Sequence, residues 1–155
     1  MDIVIQKKKM NHFSETSKKR LETCHRDLRI LFAHVIQEFD CTIVCGHRDK
    51  PEQDKAFMEG KSKLQYPQSK HNKIPSEAVD VAPFENGKID WSKSQMLFFA
   101  GYVKGVADRL YRTGVISHQI RLGADWNENN DIDDEIFLDA PHVELIPNAR
   151  DLNTI

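Results

Sequence analysis

Apolar residues recur at steps of three and four between residues 15 and 39, which is the periodicity of an amphipathic helix. The apolar positions are Leu21, Cys24, Leu28, Leu31, Val35 and Phe39. Residues 42–46 form a β-branched run that ends in glycine, and this run predicts a buried strand. Pro51 opens a short helix that extends to about Met58, because proline in the first helical turn loses no hydrogen bond. The pattern therefore predicts a helix packed on a sheet, followed by a second helix.

The chain then loses its periodicity before it returns to strand patterns. Residues 61–77 show no periodicity and predict a long loop, and loops of that length inside compact domains usually serve a function. Residues 77–82 predict a strand, which the Asn86-Gly87 turn pair joins to residues 88–91. The two segments are thus predicted to be neighbours connected by a tight turn.

A third helix pattern begins at Ser92, which has the spacing of a capping box with Gln95. The helix is predicted to run through Leu110 and to close near Gly114. Residues 116–122 then alternate as a strand does, with the histidine at position 118 on the apolar side. A core or edge role is commoner than metal binding for such a histidine, and the same holds for the histidines at positions 12, 25, 34 and 47.

Length and composition agree with a small globular protein. A chain of 155 residues supports one domain with one core, residues 1–155, in which residues 1–13 are predicted to be flexible. Helix patterns mixed with short strands predict an α+β fold, a small antiparallel-type sheet with helices packed on it. The formal net charge of −2 argues against a nucleic-acid binder, which would carry a basic surplus. The lysine-rich segments QKKKM and SKKR are therefore interpreted as a solvated basic face.

Cysteine usage and the absence of targeting patterns indicate a cytoplasmic setting. The three cysteines, Cys24, Cys41 and Cys45, are predicted to be reduced and buried. The apolar residues MDIVI precede the basic residues instead of following them, so no secretory signal is predicted. No apolar run approaches the length of a membrane span, and stable membrane insertion is not expected.

Two histidines and two aspartates have the residue types of a metal site. His71 and Asp80 lie in SKHNKIPSEAVDVAP, while Asp139 and His142 lie in LDAPHVEL. Two imidazoles and one carboxylate leave a tetrahedral zinc ion one ligand short, and a water in that position is acidified to near neutral pH. Asp139, three positions before His142, is placed to accept the proton of that water. Such residues are also common without a metal, so the spacing leaves both explanations open.

The stretches SKH, AVDVAPFENGKIDW, GADWN and HVEL resemble those of the zinc D-alanyl-D-alanine carboxypeptidase superfamily, and most closely its phage L-alanyl-D-glutamate peptidases, the endolysins. The resemblance covers roughly residues 42–146 and keeps the order of the family's motifs. It implies a hedgehog/D-Ala-D-Ala peptidase-like fold. It also implies zinc ligands at His71, Asp80 and His142, and a catalytic acid at Asp139.

The spacing between the first two implied ligands departs from the family pattern. His71 and Asp80 are nine positions apart, where the family has seven with a glycine between them, and Ser76 takes the place of the glycine. The two added residues, which include Pro75, are predicted to bulge outward in a loop over residues 72–77, because loop insertions cost little free energy. The implied ligands are unaffected by this departure.

The resemblance also implies a substrate-binding arginine in a Gly-x-Arg context after the first strand. Here that residue is Arg48, whose guanidinium could clamp a carboxylate or stabilise an oxyanion, and an exposed surface arginine is the alternative. Gln53 is expected at the same entrance. Ser69 is expected to hydrogen-bond near the ligands and not to act as a nucleophile, because no histidine–acid pair remains to activate it.

Residues 125–135, DWNENNDIDDE, carry alternate oxygen side chains like the first half of a calcium loop. The oxygen-bearing residues are Asp125, Asn127, Asn129, Asp131, Asp133 and Glu135. An EF-hand has glycine at its sixth position and glutamate at its twelfth, where this chain has Asn130 and Ile136, so a hydrated acidic loop is an equal alternative. A bound calcium ion would order the segment that leads to Asp139 and His142.

Together the residues and the resemblance predict a zinc metallopeptidase that hydrolyses the L-alanyl-D-glutamate bond of peptidoglycan stem peptides as a phage endolysin. The implied partners are the stem peptide and a holin, so the protein would stay in the host cytoplasm until its release to the cell wall or periplasm. We expect a monomer without a separate wall-binding domain. Two alternatives stay open: a D-alanyl-D-alanine carboxypeptidase or dipeptidase with the same zinc centre, and a non-catalytic module in which zinc and calcium are structural.

Overall fold

The computed structural model describes residues 9–153, which form five α-helices and five β-strands. The helices are α1 (Glu15–Glu22), α2 (Arg26–Glu38), α3 (Lys50–Met58), α4 (Lys93–Arg112) and α5 (Ala149–Leu152). The strands are β1 (Cys41–Cys45), β2 (Ala78–Glu85), β3 (Lys88–Ile89), β4 (Ile120–Leu122) and β5 (His142–Leu145). The segment 1–13, predicted to be flexible, falls mostly outside the described residues.

The strands form an antiparallel sheet in the order β1-β2-β5-β4, and β3 pairs with the C-terminal end of β2. In this register Asp80 of β2 lies opposite His142 of β5, and Arg121 of β4 lies opposite Glu144. An antiparallel sheet with helices packed on it confirms the predicted α+β class.

Alternation along the strands divides the sheet into two faces. Val79, Val81 and Val143 are at most 2 % exposed and belong to the hydrophobic core. Helix α4 packs on β2 and β4, and α2 packs on α4, so helices cover this face. Residues one position away, such as Asp80 and His142, point to the opposite face, where polar side chains can meet.

The prediction of a single helix over residues 15–39 is wrong in one respect, because the structure has two helices separated near Thr23. The backbone N–H of His25 donates to the carbonyl of Ser76 (2.8 Å), and the N–H of Ser76 donates to the carbonyl of Thr23 (2.9 Å). Nδ1 of His25 then accepts the backbone N–H of Asp27 (3.0 Å) and caps α2. The loop before β2 therefore docks at the break, and a long-range contact of this kind leaves no trace in helical periodicity.

Two further local predictions need correction. Helix α4 begins after Ser92 as expected, but the side chain of Ser92 makes no capping hydrogen bond, so the predicted capping box with Gln95 is wrong. The strand predicted over residues 116–122 is only three residues long. The residues before it are drawn away from the sheet, because the backbone N–H of His118 donates to the carboxylate of Asp27 (3.1 Å). The His118 ring also lies against Asp27, with Nδ1 2.7 Å from its carboxylate.

The three cysteines all lie in the described part of the chain and are free thiols; Cys24 and Cys41 are buried, whereas Cys45 is half-buried. Between residues 9 and 153, no helix combines the length and the apolar character that crossing a membrane requires.

Candidate metal centre

Three side chains from separate segments meet on the open face of the sheet. His71 lies in a 3-10 turn over Lys70–Asn72, Asp80 in β2 and His142 in β5. Nε2 of His71, Oδ1 of Asp80 and Nδ1 of His142 are 3.3 Å apart in each of the three pairs. Ligands about 2.0–2.1 Å from a tetrahedral zinc ion lie about 3.3–3.4 Å from one another. The donor atoms and their spacing therefore fit a zinc ion.

The two histidines present different ring nitrogens to this point, because their other nitrogens face acceptors. Nδ1 of His71 lies 2.7 Å from the carbonyl oxygen of Gly46, to which it can only donate. Nε2 of His142 lies 2.9 Å from the carboxylate of Glu144 and donates to it. Such partners fix the tautomer and the orientation of metal-binding histidines. The remaining ring nitrogens, Nε2 of His71 and Nδ1 of His142, are thus directed toward the same point.

Glu144 is a buried acid that the sequence analysis missed. It is 6 % exposed, and its Oε1 accepts hydrogen bonds from Nε (3.0 Å) and Nη2 (2.5 Å) of Arg121. Burial opposes its ionisation, but the hydrogen bond from His142 and the nearby cations lower the pKa of Glu144 to about 2. A period of two in HVEL places Glu144 on the same face as His142, and that signal could have identified it.

Asp80 has a cationic partner of its own. Nη2 of Arg48 lies 3.3 Å from Oδ2 of Asp80, and Nη1 of Arg48 donates to Oε1 of Gln53 (3.1 Å). Burial opposes the charged form of Asp80, but the charges and hydrogen bonds of His71 and His142 hold its pKa well below the usual range. Arg48, predicted to bind substrate, therefore contacts a candidate ligand directly, with 15 % of its side chain exposed.

Asp139 lies beside the three candidate ligands without belonging to their triangle. Its Oδ2 is 4.0 Å from Nδ1 of His142, and burial together with the charge of Asp80 raises the pKa of Asp139 to about 6. Its backbone N–H donates to the carbonyl of Gly123 (2.8 Å), and its carbonyl accepts the N–H of His142 (3.0 Å). A carboxylate with a pKa near neutrality can both accept and return a proton.

The residues expected around the ligands hold backbone segments in place. Oγ of Ser69 accepts the backbone N–H of His71 (3.2 Å). Gln53 is fully buried, so it lies beneath the cleft and not at its entrance. Its side-chain amide donates to Oγ of Ser62 (3.0 Å) and to the carbonyl of Leu64 (2.6 Å). Gln53 therefore connects Arg48 with the loop that follows α3.

The inserted residues between His71 and Asp80 form the predicted bulge. Ile74 is 86 % exposed, whereas Ser76 is fully buried and its hydroxyl donates to the carbonyl of Ala78 (2.6 Å). The loop therefore projects at Ile74 and is anchored at Ser76.

The candidate ligands lie in a cleft of about 750 Å³. Trp91, Trp126 and Phe137 form aromatic parts of its wall. The Trp126 ring lies 5.0 Å from the ring of His142, and its indole N–H donates to the carbonyl of Phe137 (2.7 Å). An apolar wall beside the ligands can exclude water from a bound substrate.

Cys45 adds a sulfur donor that the sequence analysis did not connect with the site. Cys45 pairs with Asp80 across β1 and β2, and its Sγ lies within 4.8 Å of donor atoms of His71 and Asp80. The pairing depends on an irregularity between Ile43 and Cys45, which sequence patterns do not predict.

The loop over residues 125–135 is held by its own side chains. The carboxylate of Asp125 accepts the backbone N–H groups of Asn129 and Asn130, both at 3.0 Å. Asn130 occupies the position where an EF-hand has glycine, and it adopts a φ of 64°, which asparagine tolerates better than most residues. Oε1 of Glu135 accepts the N–H of Trp126 (2.7 Å). Other side-chain oxygens that accept backbone N–H groups within this loop belong to Asn127, Asn129 and Asp131.

Comparisons of the sequence identify one family, and a comparison with solved structures matches the fold. The family model described as phage L-alanyl-D-glutamate peptidase matches residues 10–146. The L-alanyl-D-glutamate peptidase of Escherichia phage T5 is 34 % identical over 139 residues, which cover 86 % of this chain and 97 % of that protein. The crystal structure of the Serratia marcescens L-Ala D-Glu endopeptidase ChiX matches with a TM-score of 0.64 and 19 % identity, over 88 % of this chain and 91 % of that one. At that identity the structural likeness shows the fold alone.

Proposed function

The chain belongs to the phage L-alanyl-D-glutamate peptidase family, and from this premise we propose that it is a zinc metallopeptidase that cleaves the L-alanyl-D-glutamate bond of peptidoglycan stem peptides. The proposal rests above all on the triangle of His71, Asp80 and His142, whose donor atoms are 3.3 Å apart. Asp139 beside an open cleft supports a hydrolytic role for this triangle.

The chain's own residues would bind the ion and move the proton. Zinc bound by two histidines and one aspartate supplies a Lewis acid that polarises a carbonyl and acidifies a water. Asp139 accepts a proton from the attacking water at a carboxylate oxygen and returns it to the nitrogen of the leaving amine. Arg48 lines the cleft, and its guanidinium would offset the negative charge that develops on the carbonyl oxygen.

We place this activity in host lysis by a phage endolysin. In this proposal the protein is a monomer with one catalytic domain, residues 1–155, and it remains in the host cytoplasm until lysis. A holin then gives the protein access to the cell wall, where it meets its substrate.

Mass spectrometry of digested murein tests the bond and the metal together. We expect the zinc-loaded protein to release fragments that end in L-alanine together with fragments that begin with D-glutamate. A chelator should abolish both, and added zinc should restore them. Release of free D-alanine would instead indicate a carboxypeptidase or dipeptidase. Stoichiometric zinc without any cleavage would indicate a binding module.

We propose in addition that the loop over residues 125–135 binds calcium. The left-handed conformation of Asn130 supports this proposal, because the sharp turn of a calcium loop requires a residue that tolerates it at this position. The loop is joined to the site through Glu135 and Trp126, since Glu135 accepts the N–H of Trp126 and the Trp126 ring contacts His142. An ordered loop would therefore hold one wall of the cleft beside a ligand.

Calcium is expected to raise the melting temperature of the zinc-loaded protein after chelation and zinc readdition. At a concentration one hundred times the dissociation constant, a ligand stabilises the folded state by about 2.7 kcal/mol. Differential scanning calorimetry with calcium, and with magnesium as the control ion, measures this effect. Asp125→Ala should lose the response to calcium. An unchanged melting temperature and unchanged activity in the wild-type protein would contradict calcium binding.

A further inference from the structure

We propose that Lys63 binds a carboxylate of the stem peptide and so determines the specificity of the cleft. The inference rests on the proposed function, because it names the substrate group that this cleft selects. Lys63 lines the same cleft as His71 and Asp139, and its side chain is exposed.

The other cations of the cleft are engaged by acidic side chains. Among residues 9–153, five cationic side chains line the cleft, and four of them have a carboxylate within 4.0 Å. These four pairs are Arg48 with Asp80, Lys61 with Glu59, and both Lys70 and Arg121 with Glu144. Within residues 9–153, Lys63 forms no ion pair with an acidic side chain. Its positive charge is therefore available to an incoming anion.

The ammonium group of Lys63 is positioned although its loop has no regular structure. Nζ lies 5.1 Å from the centre of the Phe137 ring, in the range of a cation–π contact. The residues on each side are held by Gln53, whose side-chain amide donates to the hydroxyl of Ser62 (3.0 Å) and to the backbone carbonyl of Leu64 (2.6 Å). Gln53 itself is fully buried, whereas Ser62 is half-buried and Leu64 is exposed. A positioned charge loses less conformational entropy on binding than a free lysine does.

The substrate offers a suitable partner next to the proposed cleavage site. A glutamate residue has two carboxyl groups, and whichever of them continues the peptide chain, the other remains free and negatively charged. A lysine ammonium binds such a carboxylate by a charge-assisted hydrogen bond. The corresponding carboxamide has no charge, so the cleft should discriminate between D-glutamate and D-glutamine at this position.

A pair of synthetic stem peptides tests the inference, one with D-glutamate and one with D-glutamine after L-alanine. Binding is measured by calorimetry to the zinc-loaded Asp139→Asn protein, in which turnover is suppressed. We expect the D-glutamate peptide to bind roughly 10-fold more tightly than the D-glutamine peptide, because the carboxamide loses one charge-assisted hydrogen bond. Adding Lys63→Met should abolish this ratio, whereas Lys63→Arg should retain most of it.

Lys61→Met is the matched control, because Lys61 lines the same cleft but its ammonium lies 2.8 Å from Glu59. This variant should preserve the preference for the acid peptide to within about twofold, since the ammonium of Lys61 is already engaged. An undiminished preference in Lys63→Met, an equal loss in Lys61→Met, or no binding of either peptide would overturn the inference. Binding that depends on Lys63 without cleavage by the wild-type protein would leave the inference standing and refute the proposed peptidase function.

Discussion

Replacing Asp139 with asparagine is expected to lower kcat/KM roughly 10²- to 10⁴-fold and to leave the zinc content unchanged. The carboxamide has nearly the size of the carboxylate, so the backbone bonds of residue 139 to Gly123 and His142 should persist. It cannot accept the proton of the attacking water, however. Steady-state kinetics on stem peptides and elemental analysis of the purified variant measure the two quantities separately.

His142→Ala is the matched comparison, because it removes a candidate ligand from the same segment. This variant should lose both the metal and the activity, since only two of the three donors of the triangle remain. Full activity in Asp139→Asn would remove Asp139 from its proposed role. Stoichiometric zinc in His142→Ala would show that the metal is held elsewhere.

Gly123→Ala is expected to impair stability and activity together. A Cβ at Gly123 would lie 2.1 Å from the carbonyl oxygen of Asp139 and 2.8 Å from Cβ of His142, so the backbone must shift. Overpacking of this kind costs about 1–3 kcal/mol, which lowers the melting temperature of a domain of this size by roughly 2–12 °C. Misplacing the proton acceptor by about 1 Å reduces the rate by roughly 10²-fold.

The control for this substitution lies on helix α4. A Cβ at Gly105 would meet no atom within 4 Å, and alanine is favoured over glycine inside a helix by roughly 0.5–1 kcal/mol. Gly105→Ala should therefore raise the melting temperature slightly and leave kcat/KM unchanged. Thermal melts and steady-state kinetics of the two variants are measured in parallel. Equal changes in melting temperature and in kcat/KM for Gly123→Ala and Gly105→Ala would contradict the predicted crowding at Gly123.

Periodicity predicted most elements of the fold because they depend on local patterns. The β-branched run that ends in glycine became β1, and the Asn86-Gly87 pair became the turn between β2 and β3, with φ values of 52° and 79°. Long-range contacts caused the errors. The docking of Ser76 divided the first helix, and the bond from His118 to Asp27 shortened the strand at β4.

The candidate site was only partly predictable for a similar reason. His71, Asp80 and His142 carry the motif chemistry, and the structure brings them together. Glu144 was missed although the alternation in HVEL places it on the same face as His142, whereas Cys45 was missed because its proximity to Asp80 depends on the register between β1 and β2. The ion pair between Arg48 and Asp80 could not be predicted either, since no sequence pattern links two residues 32 positions apart.

The same two strands carry the apolar core on one side and the candidate ligands on the other. Inserting or deleting a single residue within β2 or β5 would turn Val79 or Val143 to the open face and the polar residues into the core. Changes in chain length during evolution should therefore be confined to the connections, as in the bulge at Ile74. Within these strands, natural variation should proceed by replacement of side chains alone.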